Sequence, residues 1–241
     1  MHALVTGIGR KKGIAAAIAR ALAEEDWDLT LTGSPDYDGE NSEADEILAP
    51  LGDVAWAPDD LADPEAPRRL FDAALEHAGP VVAVVNVAAR SRRAGILDMT
   101  VEEFDRHLAV NARGTALMTQ EFVRRFEGEW GRVINFVSGP PLVGEIPYAA
   151  SKGAIEWITY ATAAELAPRN ITVNAIDPGP TDTGWMSEEV KALLDSSSPM
   201  GRVGVAGDIA PLVAFLCTEE SRWITGQVLH CSGGWNTLRP H

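Results

Sequence analysis

The sequence predicts an α/β fold in which about seven mostly parallel strands form a doubly wound sheet with helices on both faces. Short apolar runs alternate with helical patterns along most of the 241 residues. The run from Val81 to Val87 is almost continuously apolar, as expected for a strand that is buried on both faces. Because no repeat, low-complexity tract or linker interrupts the alternation, we expect a single domain over residues 1–241.

The first elements form a unit of strand, loop, helix and strand. The apolar run 3–6 ends at Gly7. Apolar residues then recur with helical spacing from Ile14 to about Glu25, before a second strand at 29–32. This length suits a parallel βαβ unit with a right-handed crossover.

The remaining elements continue the alternation. Strands are predicted at 54–57, 81–87, 133–137, 171–176 and 227–230. Helices are predicted at 64–77, 101–126, 147–168, about 187–194 and 208–217. Ligands of such a sheet lie outside the carboxyl ends of its strands. We therefore expect one site where the loops after the following residues meet: Thr6, Leu31, Val87, Val137 and Ile176.

Composition excludes several classes of protein. The chain is 46% hydrophobic and 23% charged, as in soluble globular proteins, and its net charge of -15 disfavours nucleic acid and anionic membranes as partners. No apolar run approaches a membrane span, and no leader pattern precedes the first strand, so we expect a cytoplasmic protein. Cys217 and Cys231 lack metal-ligand spacing and are expected to be free thiols, and no metal site is expected.

The segment from Gly7 to Gly13, Gly-Ile-Gly-Arg-Lys-Lys-Gly, joins the first strand to the first helix. Backbone amides at the start of that helix, together with the helix dipole, form an anion site. The segment is neither G-x-G-x-x-G nor a phosphate-binding loop of the Gly-Lys-Ser/Thr type, and a plain βα turn is the alternative. The positive charges of Arg10, Lys11 and Lys12 favour a phosphate site.

Tyr148 and Lys152 stand four residues apart in the predicted helix that begins near Pro147. This spacing places both side chains on one face, about one turn apart. A positive charge within ~4–6 Å of a phenol lowers its pKa, so such a pair can exchange a proton near neutral pH. Ordinary helix surface is the alternative, and the motifs elsewhere in the chain decide between the two.

Several separated motifs occur in a characteristic order. They are Thr6-Gly7 to Gly13-Ile14, Asp60-Leu61, Asn86-Val87-Ala88-Ala89, Asn111, Ser138, Tyr148-x-x-x-Lys152, Asp177-Pro178-Gly179-Pro180-Thr181 and the segment 223–234. In this order the chain resembles the short-chain dehydrogenase/reductase family over essentially its whole length, and most of all the 3-oxoacyl reductase-like ketoreductases. The resemblance implies a Rossmann fold, an NAD or NADP cofactor, and hydride transfer between nicotinamide and a ketone or secondary alcohol.

The resemblance also implies roles for four residues. Tyr148 would be the general acid for reduction and the general base for oxidation, while Lys152 would favour the ionised phenol and hold the nicotinamide ribose. Ser138 would donate a hydrogen bond to the substrate oxygen. Asn111 would complete a water-linked proton relay to Lys152. Separately, Ser138 could be a turn residue and Asn111 a helix kink, and the alternative function is a cofactor-binding regulator with little turnover.

The cofactor contacts implied by the resemblance are spread over six segments. They are Gly7, Arg10, Lys12, Gly13, Ile14, Ser34, Asp60, Leu61, Asn86, Ala88, Tyr148, Lys152, Pro178, Gly179, Thr181 and Thr183. Asp60 and Leu61 should meet the adenine. Thr181 and Thr183 should meet the carboxamide and the pyrophosphate.

The end of the second strand bears on the choice of cofactor. Gly33 stands where NAD-specific relatives usually carry Asp, and Ser34 stands where NADP-specific relatives usually carry Arg. A hydroxyl can donate to a 2′-phosphate, with Arg10 or Lys12 adding charge. The nearby residues Asp36 and Asp38 favour NAD(H), but on balance we expect NADP(H), with NAD(H) as the alternative.

The chain departs from the family pattern in three places. The glycine loop is two residues longer, with Ala15 in place of the last glycine, and so resembles the enoyl reductase branch, which however spaces its Tyr and Lys differently. Asn86-Val87-Ala88-Ala89 replaces N-N-A-G. Ser138 and Tyr148 are ten positions apart instead of about thirteen. The three missing residues would span up to ~10 Å of extended chain. The end of the strand and the start of the helix can still be joined, so we expect the four catalytic residues to assemble, with a differently shaped substrate side.

The substrate is expected to be a small carbonyl compound or alcohol, bound under a lid at about 180–207. Trp185, Met186 and Met200 would form an apolar wall, or would simply pack the lid. The arginines at 90, 92 and 93 are either a solvated surface or a site for an anionic substrate, whereas the acidic chain makes an acyl carrier protein a doubtful partner.

The helix of Tyr148 is expected to bear the subunit contacts. Family members commonly pair this helix with its copy, which predicts a homodimer or homotetramer through Trp157, Ile158 and Ala161. The alternative is that these three residues face only the sheet of their own subunit.

Overall fold

Seven strands form one parallel sheet in the computed structural model, which describes residues 1–34, 43–139 and 142–238. They are β1 (His2–Thr6), β2 (Asp28–Thr32), β3 (Ala55–Trp56), β4 (Ala83–Asn86), β5 (Gly131–Phe136), β6 (Ile171–Asp177) and β9 (Val228–His230). Their order is β3-β2-β1-β4-β5-β6-β9, and every neighbouring pair is parallel. The order reverses between β1 and β4, as in a Rossmann sheet, and this confirms the predicted fold class. Asp36 and Asp38 lie outside the described residues, as do Pro140 and Pro141.

Helices cover both faces of this sheet. They are α1 (Ile14–Glu24), α2 (Ala44–Leu48), α3 (Ala66–Ala78), α4 (Val101–His107), α5 (Gly114–Arg125), α6 (Ile146–Leu166), α7 (Glu188–Ser197) and α8 (Ala206–Cys217). Because side chains alternate along a strand, Ala3 and Val5 of β1 pack with α1 and α8, while Leu4 packs with α3 and α5 on the other face. None of the helices in the described ranges is long and apolar enough to cross a membrane.

The predicted helix 101–126 is interrupted. Between α4 and α5 the chain forms a π-helical segment, Leu108–Arg113, which contains Asn111. Single π turns within α-helices are rare and are frequently found at functional sites. The side chain of Asn111 is fully buried here and makes hydrogen bonds to two other segments, so tertiary contacts outweigh the regular helical pattern.

Three small elements were not predicted. Helix α2 has five residues, and the strands β7 (Thr181–Asp182) and β8 (Gly204–Val205) pair with each other outside the main sheet. Such short elements contain too few residues to show a periodic pattern. The β7–β8 pair nevertheless matters for the site, because it joins the two ends of the expected lid.

Candidate active site

The carboxyl ends of the strands open onto a cleft of about 360 Å³, where the loops predicted to converge do meet. Most of the expected cofactor contacts line it: Gly7, Arg10, Gly13, Ile14, Ser34, Asp60, Leu61, Ala88, Tyr148, Lys152, Pro178, Gly179, Thr181 and Thr183. Lys12 does not line the cleft and is exposed beside Gly184 of the lid. Asn86 is buried in the sheet instead, where its Nδ2 donates to Oδ1 of Asn135 at 2.9 Å.

The glycine loop is held tightly against the sheet. A Cβ on Gly7 would lie 2.7 Å from the nitrogen of Ala88, and a Cβ on Gly33 would lie 1.8 Å from the carbonyl oxygen of Ile8. Gly7 also has φ of 90°, which favours glycine. The backbone of the loop therefore forms the cleft wall without intervening side chains.

Helix α1 begins at this wall. Its N-cap residue, Gly13, provides no side-chain cap, and Gly13, Ile14 and Ala15 line the cleft. The first amides of a helix lack partners within the helix, and with the helix dipole they favour an anion. The glycine contacts and this uncapped helix start fit the pyrophosphate of a dinucleotide.

Where Asp59, Asp60 and Leu61 line the cleft, the acidic side chains are paired with arginines. Oδ1 of Asp60 accepts a hydrogen bond from the amide of Ala62 at 2.9 Å, and Oδ2 accepts one from Arg106. The neighbouring Asp59 is held by Arg69 through two hydrogen bonds of 2.8 Å. The arginines offset the negative charges of Asp59 and Asp60, which line the same cleft as Ser34. Arg106, Asp59 and Arg69 were not recognised from sequence, because their contacts join separate segments.

Trp185 links the lid to the glycine loop. The guanidinium of Arg10 lies 3.7 Å from the centroid of the Trp185 ring, within the range of a cation–π interaction. Both residues line the nucleotide cleft. Trp185 thus lies at the cleft beside Arg10, although 65% of its surface is exposed.

The side chain of Lys152 is almost completely buried next to Tyr148. Its Nζ donates a hydrogen bond to the carbonyl oxygen of Phe136 at 2.7 Å and lies 5.7 Å from the centroid of the Tyr148 ring. Burial lowers the pKa of Lys152 from 10.5 to about 8, because the charged form loses hydration. The predicted helix face thus brings a cation next to the phenol.

Asn111 connects the loop after β4 to helix α6. Its Oδ1 accepts from the amide of Arg90 at 2.7 Å, and its Nδ2 donates to the carbonyl of Arg90 and to Oγ of Ser151, at 2.9 and 2.8 Å. Ser151 in turn donates to the carbonyl of Tyr148 at 2.7 Å. Asn111 therefore fixes α6 at the residue next to Lys152.

A second cavity of about 760 Å³ lies on the other side of the tyrosine, and Ser138 lines it together with Tyr148 and Lys152. The three side chains meet at one cavity although the intervening loop is short. That loop is anchored by Ala94, whose amide donates to the carbonyl of Gly144 at 2.8 Å and whose carbonyl accepts from Ile146 at 3.3 Å. The loops after β4 and β5 thus form one edge of the site.

The arginine cluster does not act as one unit. Arg90 makes two hydrogen bonds of 2.7 Å to the carboxylate of Glu103, and this contact lowers the pKa of Glu103. Arg92 is exposed and lines the nucleotide cleft, whereas Arg93 is exposed outside it. Arg90 also lines the cleft but is paired with Glu103, so Arg92 is the more exposed guanidinium there.

Comparison with known proteins shows the family to which the chain is related. The model of the enoyl-(acyl carrier protein) reductase family matches residues 7–236. The uncharacterized oxidoreductase YjdA of Bacillus subtilis is 38% identical over 97% of this chain and 96% of its own. The 3-oxoacyl-(acyl-carrier-protein) reductase FabG of Aquifex aeolicus is 35% identical over 96% and 95%. A solved short-chain dehydrogenase/reductase of Serratia marcescens matches with a TM-score of 0.87 and 31% identity over 97% of both chains.

The fold and the cleft are those of a dinucleotide-binding α/β protein. The chain belongs to the short-chain dehydrogenase/reductase family of oxidoreductases, which implies a nicotinamide cofactor.

Burial of Lys152 predicts that its positive charge destabilises the folded protein at neutral pH. Because its folded-state pKa is below the unfolded value of 10.5, the native state loses stability as pH falls from 10.5 through about 8. A shift of this size corresponds to about 3 kcal/mol at pH 7. We expect Lys152→Met to raise the melting temperature at pH 7 by about 2–6 °C, after allowance for the lost hydrogen bond to Phe136.

The control is Lys191→Met, which removes a less buried charge from α7 and should change stability little. Melting curves at pH 7 and pH 10 test the cause, since the gain from Lys152→Met should shrink at pH 10. A lower melting temperature for Lys152→Met at pH 7 would contradict the expected effect of burial.

Proposed function

We propose that the protein is an NAD(P)(H)-dependent oxidoreductase that interconverts a ketone and a secondary alcohol. The observation that carries this proposal is the position of Tyr148 and Lys152, which form the wall shared by the nucleotide cleft and the cavity of Ser138. When bound, the nicotinamide cofactor supplies or accepts the hydride. The spacing of Tyr148 and Lys152 favours ketones over the enoyl substrates named by the family model.

In this proposal the chain supplies the proton and the electrostatic stabilisation. The hydroxyl of Tyr148 donates a proton to the substrate oxygen during reduction and takes it back during oxidation. The ammonium of Lys152 stabilises the phenolate and binds the ribose hydroxyls. Ser138 donates a hydrogen bond to the oxygen as negative charge develops. Asn111 supports the proton relay to Lys152 through water. Its side-chain amide holds Arg90 and Ser151 in place.

NADP(H) is the favoured cofactor in this proposal. At position 33 even a Cβ would collide with the carbonyl of Ile8, so the carboxylate that would repel a 2′-phosphate cannot occupy that place. Ser34 and Arg10 line the same cleft and can donate to a phosphate. The nearby Asp59 is paired with Arg69, which reduces its repulsion of a second anion.

Steady-state assays with a panel of ketones and both reduced cofactors test this proposal. We expect turnover with a kcat/KM at least about tenfold higher for NADPH than for NADH, and we expect Arg10→Ala to remove most of that difference. Lys12→Ala is the matched control, because Lys12 is exposed outside the cleft wall. Equal use of both cofactors by the wild type would refute the NADP(H) preference without refuting the oxidoreductase.

The same proposal includes a homodimer or homotetramer in the cytoplasm, acting as one dinucleotide-binding domain with residues 180–207 as its lid. Trp157 is 74% exposed on α6, and Ala161 one turn later is also exposed, so neither is covered by the subunit's own sheet. An exposed aromatic residue on this helix supports pairing of α6 with its copy. The free thiols of Cys217 and Cys231 support a reducing compartment.

A further inference from the structure

The carboxylate of Asp177 lies where four segments of the site meet. Asp177 ends β6 and is 1% exposed. Its Oδ1 accepts a hydrogen bond from the amide of Gly179 at 3.0 Å. Its Oδ2 accepts one from Nδ2 of Asn236 at 2.6 Å and lies 3.1 Å from Nδ1 of His230. The loop after β6, strand β9 and the turn Trp235–Leu238 are thereby joined at a single side chain.

The fourth segment is the turn that carries Ser138. A Cβ on Gly139 would lie 3.2 Å from Oδ2 of Asp177 and 3.4 Å from Oδ1 of Asn236, so this glycine packs directly against the pair. Ser138 itself is exposed, and burial of its own side chain does not hold it in place. Its position is set by its two neighbours: Val137, which is buried and donates to the carbonyl of Ile176 at 3.0 Å, and Gly139, which contacts Asp177 and Asn236.

The Gly179 side of the carboxylate faces the cofactor. Pro178 and Gly179 line the nucleotide cleft, and Gly179 has φ of 59°. A Cβ there would lie 2.5 Å from Cβ of Ser232, in the segment that follows β9. The hydrogen bond from the amide of Gly179 to Oδ1 of Asp177 closes this turn. Oδ1 of Asp177 thus holds the turn that lines the cleft, while Oδ2 contacts the segment of Ser138 at Gly139.

We propose that Asp177 is a positioning residue which, through Asn236, fixes the Ser138 turn and, through Gly179, fixes the cofactor-facing turn. The proposal rests on the proposed function, because Ser138 is taken to bind the substrate oxygen. Asp177 itself does not line the nucleotide cleft. Its effect on the reaction passes through the two glycines, 139 and 179.

A double-mutant cycle tests the Ser138 side. Asn236→Asp places two carboxylates in contact and is expected to lower kcat for ketone reduction about tenfold, since small displacements near reacting groups have effects of this order. Asp177→Asn alone is expected to have a smaller effect, because rotation of the Asn236 side-chain amide by 180° presents its Oδ1, which is buried without a hydrogen-bond partner, to the new NH2 group. The double variant Asp177→Asn/Asn236→Asp restores a donor–acceptor pair with the same total charge and is expected to recover kcat to within about threefold of wild type.

Cofactor binding tests the Gly179 side without turnover. Titration of the protein with NADPH, followed by fluorescence, should give nearly wild-type affinity for Asp177→Asn. Asp177→Ala, which also removes the acceptor for Gly179, should weaken binding about tenfold. Asp28→Asn is the control, because Asp28 is an exposed carboxylate at the amino end of β2, and it should change neither kcat nor affinity.

The outcomes separate this inference from the proposed function. If the wild type binds NADPH but reduces no ketone, the proposed function fails, and the affinity of Asp177→Ala still decides on the Gly179 contact. Wild-type kcat in Asn236→Asp, or no recovery in the double variant, overturns the Ser138 contact. Melting temperatures that fall while kcat stays constant would show a purely structural role, and this also overturns the proposal.

Discussion

Replacement of Tyr148 by Phe is expected to lower kcat for ketone reduction by about 10²–10⁴-fold, the usual contribution of a positioned general acid. The ring and its packing next to Lys152 stay in place, and only the hydroxyl is lost. We therefore expect the dissociation constant for NADPH to stay within about threefold of wild type. Single-turnover kinetics and a cofactor titration measure the two effects separately.

Tyr160→Phe is the matched control for this variant. Tyr160 lines the cavity of Ser138 about three turns further along α6, but its hydroxyl is held by Glu156, to which it donates at 2.8 Å. We expect wild-type kcat for Tyr160→Phe. If Tyr148→Phe and the wild type show the same negligible turnover while both bind NADPH, the protein is a cofactor-binding regulator and Tyr148 has no role in proton transfer.

Gly33→Ala is expected to weaken NADPH binding at least about 100-fold, because the loop would have to move by more than about 1 Å. The added methyl group would lie 1.8 Å from the carbonyl of Ile8 and 3.1 Å from the ring of Trp56. The loop is attached to β2 by hydrogen bonds from Gly7 and Ile8 to the carbonyl of Thr32, at 2.8 and 2.9 Å, and movement would strain both. Isothermal titration with NADPH measures the change in affinity.

The control for Gly33→Ala is Gly207→Ala in α8, where no atom lies within 4 Å of the added Cβ. That change should leave cofactor affinity unaltered and should stabilise the protein slightly, since alanine favours a helix. Wild-type affinity in Gly33→Ala would show that the loop adapts, and the argument for NADP(H) from this contact would then be lost.

The sheet was predictable because its strands carry a local pattern. Val84 and Val85, and Val133 and Ile134, belong to short apolar runs that can be recognised without knowledge of their neighbours. The strand order and the cleft at the carboxyl ends then follow from the doubly wound topology. The shared helix face of Tyr148 and Lys152 follows from their spacing, whereas their place in a site was inferred from the family resemblance.

Contacts between distant segments were not predictable from such patterns. Arg10 meets Trp185, and Asp177 meets Asn236, across 175 and 59 positions of the chain. The π turn at Asn111 likewise depends on Arg90 and Ser151, which belong to other segments. Composition and periodicity carry no information on such pairs, so the lid contact and the Asp177 cluster became visible only in the folded structure.

The position of β9 in the sheet has a consequence for the synthesis of the protein. β9 pairs with β6 across about 50 intervening residues, and Asn236 follows it by six positions. The parallel sheet up to β6 can form as the chain leaves the ribosome, with N-terminal parts folding first. The turn that carries Ser138 gains its contact with Asn236 only after residue 236 has emerged. A nascent chain would thus form the glycine-loop wall of its cleft before the turns at Gly179 and Gly139 gain their contacts with Ser232 and Asn236.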